Sequence, residues 1–111
     1  VPGALMSMIG AEKLMGIVNE YSNPSDILFY LNQGIKSSLK QTEQGTSTKD
    51  GMDIALTAID LNTFNVNYSG ANRPIWIIKN GSTEIEEIKA TKKAIGGYTE
   101  GNQKFEQHNL H

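Results

Sequence analysis

The amino-acid sequence predicts an α+β fold in which two N-terminal helices pack on an antiparallel sheet. Apolar residues recur at helical spacing as far as about residue 40. From Met52 onward they fall at alternate positions, which is typical of strands. The pair Asn80-Gly81 is a turn signal between two such runs. Because the helices come first and the strands follow as a block, the class is α+β.

Composition narrows the class of protein. The chain has 111 residues, 38% hydrophobic and 20% charged, which fits one globular domain or part of one. The net charge is -2 and the basic residues are scattered, so no nucleic acid partner is expected. The absence of cysteine excludes disulfides, zinc–thiolate sites and thiol catalysis, and makes the cytoplasm the default expectation. The apolar runs are far shorter than the ~20 residues that span a bilayer, so this segment is expected to have no membrane partner.

The first helix is predicted from Pro2 to about Tyr21. Proline suits the first turn of a helix. Apolar residues follow at helical spacing: Leu5, Met8, Ile9, Leu14, Met15, Ile17 and Val18. Gly10 and Gly16 each weaken a helix by ~1 kcal/mol relative to alanine. We therefore expect both glycines to permit close packing against a neighbouring element.

The second helix is predicted over about 24–40. Asn23 can cap it, Pro24 fits its first turn, and Asp26 complements its positive N-terminal end. We expect one face to be buried. The apolar residues of that face recur every four positions: Ile27, Leu31, Ile35 and Leu39.

The rest of the chain, from about 52 to 110, is predicted to form strands. Residues 41–51 are polar and are expected to form a mobile surface loop. A first hairpin joins 52–59 to 64–69. Its first strand is apolar on parts of both faces and is expected to lie inside the sheet. The second has a polar face and is expected to meet solvent.

A second hairpin is predicted around Asn80-Gly81, with the outgoing strand over 74–79 and the return through Ile85 and Ile88. Trp76, within its isoleucine run, is interpreted as a core residue or an interface anchor. A glycine-bearing bend over 94–98 and a weaker fifth strand over 104–110 complete the prediction.

Few residues offer catalytic or metal-binding chemistry. His108 and His111 are three apart on a terminal strand, so they face opposite sides and favour a structural role. Asp50 and Asp53 have a spacing found in some metal loops, but the remaining calcium ligands do not follow. Entry to a strand, with Gly51 making the turn, explains them as well.

The link between the two hairpins carries the remaining polar candidates. Asn72 and Arg73 could present donors to an anionic group, although a plain turn is the commoner meaning of such a sequence. No serine has a histidine in a recognisable motif, so triad chemistry is not supported. The residues alone thus indicate an α+β segment with no assigned catalytic residue.

Three segments together resemble one family. They are VPGALMSMIG at 1–10, KDGMDIAL at 49–56 and YSGANRP at 68–74. Their order and spacing resemble SpoIIE-like phosphatases of the PPM type, which are metal-dependent serine/threonine protein phosphatases of bacterial signalling proteins. Residues 24–26 and 94–97 add support, and the resemblance covers nearly the whole chain.

The resemblance implies an α-β-β-α sandwich that hydrolyses phosphoserine or phosphothreonine on a partner protein, using two manganese or magnesium ions to activate a water. The usual substrate class it implies is an anti-sigma-factor antagonist. In that family the metal-binding aspartates precede the segment matching 1–10 and follow a strand like 104–110. No metal ligand is therefore carried over, no cofactor is expected in this chain, and the chain is interpreted as an inactive interior fragment cut at both ends. Asn72 and Arg73 would lie at the active-site periphery.

Three further expectations accompany this resemblance. The alternative function is a non-catalytic regulatory or interaction module that kept the fold. A homodimer is expected because the sheet over 52–88 has unpaired edges. In the family the helix pair is associated with switching, and Gly10 and Gly16 are hypothesised to allow sliding, so that alanine at either position would alter regulation.

Overall fold

A computed structural model describes residues 2–43, 51–96 and 104–110. In these ranges two helices precede seven short strands. The helices are α1, Pro2–Val18, and α2, Pro24–Glu43. The strands are β1, Gly51–Met52; β2, Ile54–Ile59; β3, Val66–Ala71; β4, Ile75–Ile77; β5, Glu86–Ile88; β6, Ile95–Gly96; and β7, Gln107–Leu110. The ladders between them are antiparallel, which confirms the α+β class for the described residues.

α1 ends at Val18, short of the predicted Tyr21. The N–H groups of Glu20 and Tyr21 both donate to the carbonyl of Ile17 at 3.0 Å, which closes the helix in a tight turn. The chain has to reverse before Pro24, where α2 begins, so another helical turn has no room.

α2 begins where predicted and extends further than predicted. The N–H of Ile27 donates to the carbonyl of Asn23 at 3.0 Å, which puts Asn23 at the N-cap position. Its end at Glu43 makes the start of the predicted loop helical. The predicted apolar face is confirmed for Ile27, Leu31 and Ile35, which are buried. The side chain of Leu39 lies outside the described residues.

Close packing is confirmed at one of the two glycines of α1. A Cβ added at Gly10 would lie 3.3 Å from Met52 Cε and 3.8 Å from Ile35 Cδ1. A Cβ added at Gly16 would meet nothing within 4 Å among the described residues. The expectation is therefore wrong for Gly16, which lies on an open side of the helix.

The central strand of the main sheet is β3, not the strand before it. The order is β2-β3-β7, with Ile54 opposite Ala71 and Val66 opposite Leu110. The predicted placement of the two strands is thus reversed. The polar residues of β3 explain the error. Ser69 is buried and its Oγ donates to the carbonyl of Glu106 at 2.7 Å. Asn67 is half-buried and its Oδ1 accepts a hydrogen bond from Asn109 Nδ2 on β7 at 3.1 Å.

The predicted strand over 52–59 divides at Asp53. β1 pairs with β6, whereas β2 pairs with β3, so two strands separated by the single residue Asp53 belong to different sheets. A Cβ at Gly51 would lie 2.9 Å from the Cβ of Ala94, which is why the β1–β6 pair requires a glycine there. The single predicted sheet is three smaller ones in the described ranges.

The second hairpin is confirmed as β4–β5, with Trp76 opposite Glu87. Gly81 has a φ of 84°, and the N–H of Ser82 donates to the carbonyl of Lys79 at 3.0 Å, as a turn at this position requires. Trp76 is 67% exposed, so its interpretation as a core residue is wrong. Its alternative interpretation as an interface anchor stays a prediction.

A continuous apolar core lies between the helices and the sheets. Its buried members are Met6, Leu28, Leu31, Ile35, Ala71, Ile95 and Phe105. α1 contributes one side to it and leaves another apolar side exposed, which we call the outer α1 face: Ala4, Met8, Ala11, Met15 and Val18. None of the helices in the described ranges has the length and hydropathy needed to cross a bilayer.

Candidate functional site

The structure brings together three polar residues from two motifs that are distant in the sequence. Asp53 lies at the corner between β1 and β2. Its Oδ1 accepts a hydrogen bond from Asn72 Nδ2 at 3.2 Å, and its Oδ2 lies 3.9 Å from Arg73 Nη2. We call Asp53, Asn72 and Arg73 the corner cluster. Its Asp53 and Arg73 side chains are 43% and 65% exposed, so their ion pair contributes at most ~1 kcal/mol to stability.

The backbone around the corner cluster is fixed by local constraints. Asn72 has a φ of 60°, a left-handed conformation that asparagine tolerates better than most residues. Its N–H donates to the carbonyl of Thr91 at 2.8 Å, and the N–H of Thr91 donates to the carbonyl of Gly70 at 3.0 Å. The hydroxyl of Tyr68 donates to the carbonyl of Arg73 at 2.6 Å. These hydrogen bonds fix the backbone of the loop, and the exposed guanidinium of Arg73 can present its N–H donors to a ligand.

Gly70 is required by the same arrangement. A Cβ at this position would overlap the hydroxyl of Tyr68, which is fully buried, and would press on the carbonyl of Arg73. Any side chain would thus displace the hydrogen bond that ends β3. The motif YSGANRP has a local structural reason for its Tyr68 and its Gly70.

The described residues do not fit a metal centre. Nowhere in these ranges do three or more His, Cys, Asp or Glu residues group closely enough to hold an ion. Asp53 already has a guanidinium beside it, and this positive charge opposes cation binding. Asp50 and His111 lie outside the described residues. His108 stacks on Tyr68 with ring centroids 5.9 Å apart, which is a structural contact.

A cavity of about 290 Å³ lies at the start of α2. It is lined by Ser25, Asp26, Phe29, Tyr30, Lys104 and Phe105. Gln107 lies beside it and accepts hydrogen bonds from the backbone N–H and the hydroxyl of Ser25, both at 3.1 Å. Sequence reasoning missed this place, because its two segments are far apart in the chain and neither carries a motif.

The contact within the corner cluster was missed for a different reason. Asp53 and the pair Asn72 and Arg73 were considered as separate candidates. The signal was the hairpin register, since pairing Ile54 with Ala71 sets the residues just outside them side by side. Asn72 and Arg73 thus lie together at one corner of the sheet, as their place in one loop predicts.

Comparisons of the chain with protein families, with characterised proteins and with solved structures found no match. The functional interpretation therefore depends on the residues themselves and on how the fold arranges them.

Proposed function

We propose that this chain is the interior of a SpoIIE-like phosphatase domain of the PPM type. The parent protein would hydrolyse phosphoserine or phosphothreonine on a partner protein in bacterial signalling. Manganese or magnesium would be held by residues of the parent protein outside residues 1–111. In this proposal α1 and α2 form one outer layer of an α-β-β-α sandwich, and the three small sheets belong to its inner layers.

The meeting of the three resembling segments supports this proposal. Gly10, in the first segment, packs on Met52 in the second. Asp53, in the second, contacts Asn72 and Arg73 in the third. The second segment thus contacts both of the others, the first through Met52 and the third through Asp53.

Each member of the corner cluster has a distinct role in the proposal. Arg73 has the exposed, forked guanidinium that suits a phosphate oxyanion. Asp53 and Asn72 are positioning residues that orient the loop. The substrate class is a phosphorylated protein, with an anti-sigma-factor antagonist as the class the resemblance implies.

The test compares this chain with a longer version extended at both ends into its parent sequence. We expect manganese-dependent hydrolysis of an aryl phosphate by the longer version only. In the longer version, Arg73→Gln should raise KM for a phosphopeptide about tenfold, whereas Lys79→Gln, which removes another exposed cation, should leave it unchanged. Absence of both hydrolysis and manganese binding in the longer version would overturn the proposal.

A non-catalytic interaction module is the second candidate function, and the outer α1 face favours it. Met8 and Met15 are each 72% exposed, on a helix whose only charged residues are Glu12 and Lys13. Exposed methionines suit adaptable protein contacts. A longer version that binds no manganese yet loses a partner from its natural host upon Met8→Glu would support this function over catalysis.

Self-association through the edge of β2 is a further part of the proposal. In the described ranges β3 is the only strand paired with β2, and β2 has no charged residue to blunt its other edge. Light scattering should detect a dimer at high concentration, and Thr57→Lys should shift it toward monomer. A wild-type chain that stays monomeric throughout contradicts this part alone.

A further inference from the structure

The β4–β5 ribbon carries a cluster of exposed apolar side chains. Trp76 is 67% exposed, Ile78 63% and Ile85 57%. Ile78 directly follows β4 and Ile85 directly precedes β5. Because Ile77 is paired with Glu86, both isoleucines lie next to the paired ends of the two strands, close to Trp76. We call Trp76, Ile78 and Ile85 the ribbon patch.

The β4–β5 hairpin has few contacts of its own that would offset the cost of exposing these apolar side chains. A two-stranded hairpin is marginally stable by itself in water, and within the described ranges β4 and β5 pair only with each other. Clustered large apolar residues at a surface mark interaction sites, and tryptophan is enriched among residues that dominate binding energy.

One acidic group lies against the ribbon patch. The indole Nε1 of Trp76 donates to Glu87 Oε1 at 3.0 Å, and the two residues are opposite each other in the ladder. Glu86 lies opposite Ile77, on the other face, and is paired with Lys79 at 3.6 Å. Glu87 has no such cation among the described residues. In this part of the chain the ring of Trp76 thus has a carboxylate beside it that no cation neutralises.

We propose that the ribbon patch binds a protein segment in which apolar side chains stand next to arginine. The arginine stacks on the exposed ring of Trp76 and donates to the carboxylate of Glu87. Its apolar neighbours cover Ile78 and Ile85. Arginine suits this place better than lysine, because a planar guanidinium stacks on an aromatic ring and bonds a carboxylate at once.

Charge complementarity selects this occupant over two others. In a two-fold contact that brings the Trp76 rings of two copies together, the two Glu87 carboxylates beside those rings also approach each other, and like charges disfavour that pairing. An anionic membrane surface is repelled by the carboxylate of Glu87. A basic, apolar segment satisfies both features of the patch.

Intrinsic fluorescence tests the proposal directly, because Trp76 is the only tryptophan of the chain. The probe is a short capped peptide in which leucine alternates with arginine, and matched peptides carry lysine or glutamate instead of arginine. We expect a saturable blue shift with the arginine peptide, weaker binding of the lysine peptide and none of the glutamate peptide. Added salt should weaken binding by screening.

Variants then locate the binding. Glu87→Gln and Ile78→Ser should each weaken binding of the arginine peptide about tenfold. Leu61→Ser is the matched control, since Leu61 is 78% exposed but lies outside the ribbon patch. Far-ultraviolet circular dichroism checks that each variant is folded.

Three results would overturn the proposal. The first is equal binding of the glutamate peptide, or no saturable change with any peptide. The second is a concentration-dependent blue shift without peptide, which would assign the patch to a second copy. The third is a blue shift with phosphatidylserine vesicles and none with the arginine peptide, which would assign it to a membrane surface.

Discussion

The side-chain oxygen of Asn32 accepts a hydrogen bond of 2.7 Å from the backbone N–H of Gly96. Asn32 is fully buried in the middle of α2, and Gly96 is buried in β6 with a φ of 77°. This bond connects α2 to β6. A buried donor that loses its partner costs about 1–3 kcal/mol.

We therefore expect Asn32→Ala to lower the free energy of unfolding by about 1–3 kcal/mol. Urea denaturation followed by circular dichroism measures this. Gln33→Ala is the control, because Gln33 is the exposed neighbour on the same helix. A loss that is equal in the two variants would contradict a specific role for the buried bond.

The two glycines of α1 should respond differently to alanine. Gly16→Ala should stabilise the chain by about 0.5–1 kcal/mol, because alanine has the higher helix propensity and its methyl group meets no atom of the described residues within 4 Å. Gly10→Ala should gain less, because the added Cβ presses on the flexible end of Met52. Gly10→Leu should destabilise by about 1–3 kcal/mol through overpacking. Thermal unfolding of the three variants measures these changes in stability. An equal stabilisation by Gly10→Ala and Gly16→Ala would contradict the close contact between Gly10 and Met52.

Gly70→Ala should be destabilising by about 1–3 kcal/mol, because the methyl group would overlap the hydroxyl of Tyr68. Adding Tyr68→Phe to this variant should recover part of the loss by removing the overlapping oxygen. Chemical denaturation of the single and double variants gives the coupling free energy between positions 68 and 70. Additive losses would show that the clash lies elsewhere.

Phe64→Gly should stabilise the turn between β2 and β3. Phe64 has a φ of 60° and is 74% exposed, so it adopts a left-handed conformation with little packing in return. Glycine relieves a strain of about 1 kcal/mol. The melting temperature should rise, with Phe64→Ala as the comparison that keeps the strain. A melting temperature that falls in Phe64→Gly but not in Phe64→Ala would contradict the relief of strain.

Burial raises the pKa of Tyr68 above its ordinary value of 10.0. A raised pKa means that the folded state holds the phenol proton more tightly than the unfolded state does. The corresponding stability is complete below pH 10.0 and is lost as the pH rises from there toward the folded pKa. Stability measured from neutral to alkaline pH should fall in this window, and the fall should be smaller in Tyr68→Phe. An identical profile in both proteins would exclude this tyrosine as the cause.

The helices were readable from the sequence because their signals are local. Pro24 and the period of Ile27, Leu31 and Ile35 set the start and the buried face of α2. The end of α1 was less readable, since it depends on the reversal toward Pro24 and not on any capping residue. Helix propensity is the same for Gly10 and Gly16. The difference between them lies in their tertiary contacts, which the local sequence does not show.

The sheets were only partly readable, because strand partners are chosen by contacts distant in the sequence. Alternation located both hairpins. It could not show that β7 joins β3, or that Tyr68 and Ser69 find buried partners. In the corner cluster, the loop with Asn72 and Arg73 could be recognised from the sequence. Predicting its contact with Asp53 would have required the register between β2 and β3.

The division of the chain at Asp53 has a consequence for how its length can vary. Met52 is held opposite Ile95, and Ile54 is held opposite Ala71, so neither side can slide to absorb an added residue. An insertion or deletion here would turn one strand over, exchanging its inward and outward side chains. Natural variation in length should therefore avoid this corner and collect in the connections that no second strand constrains.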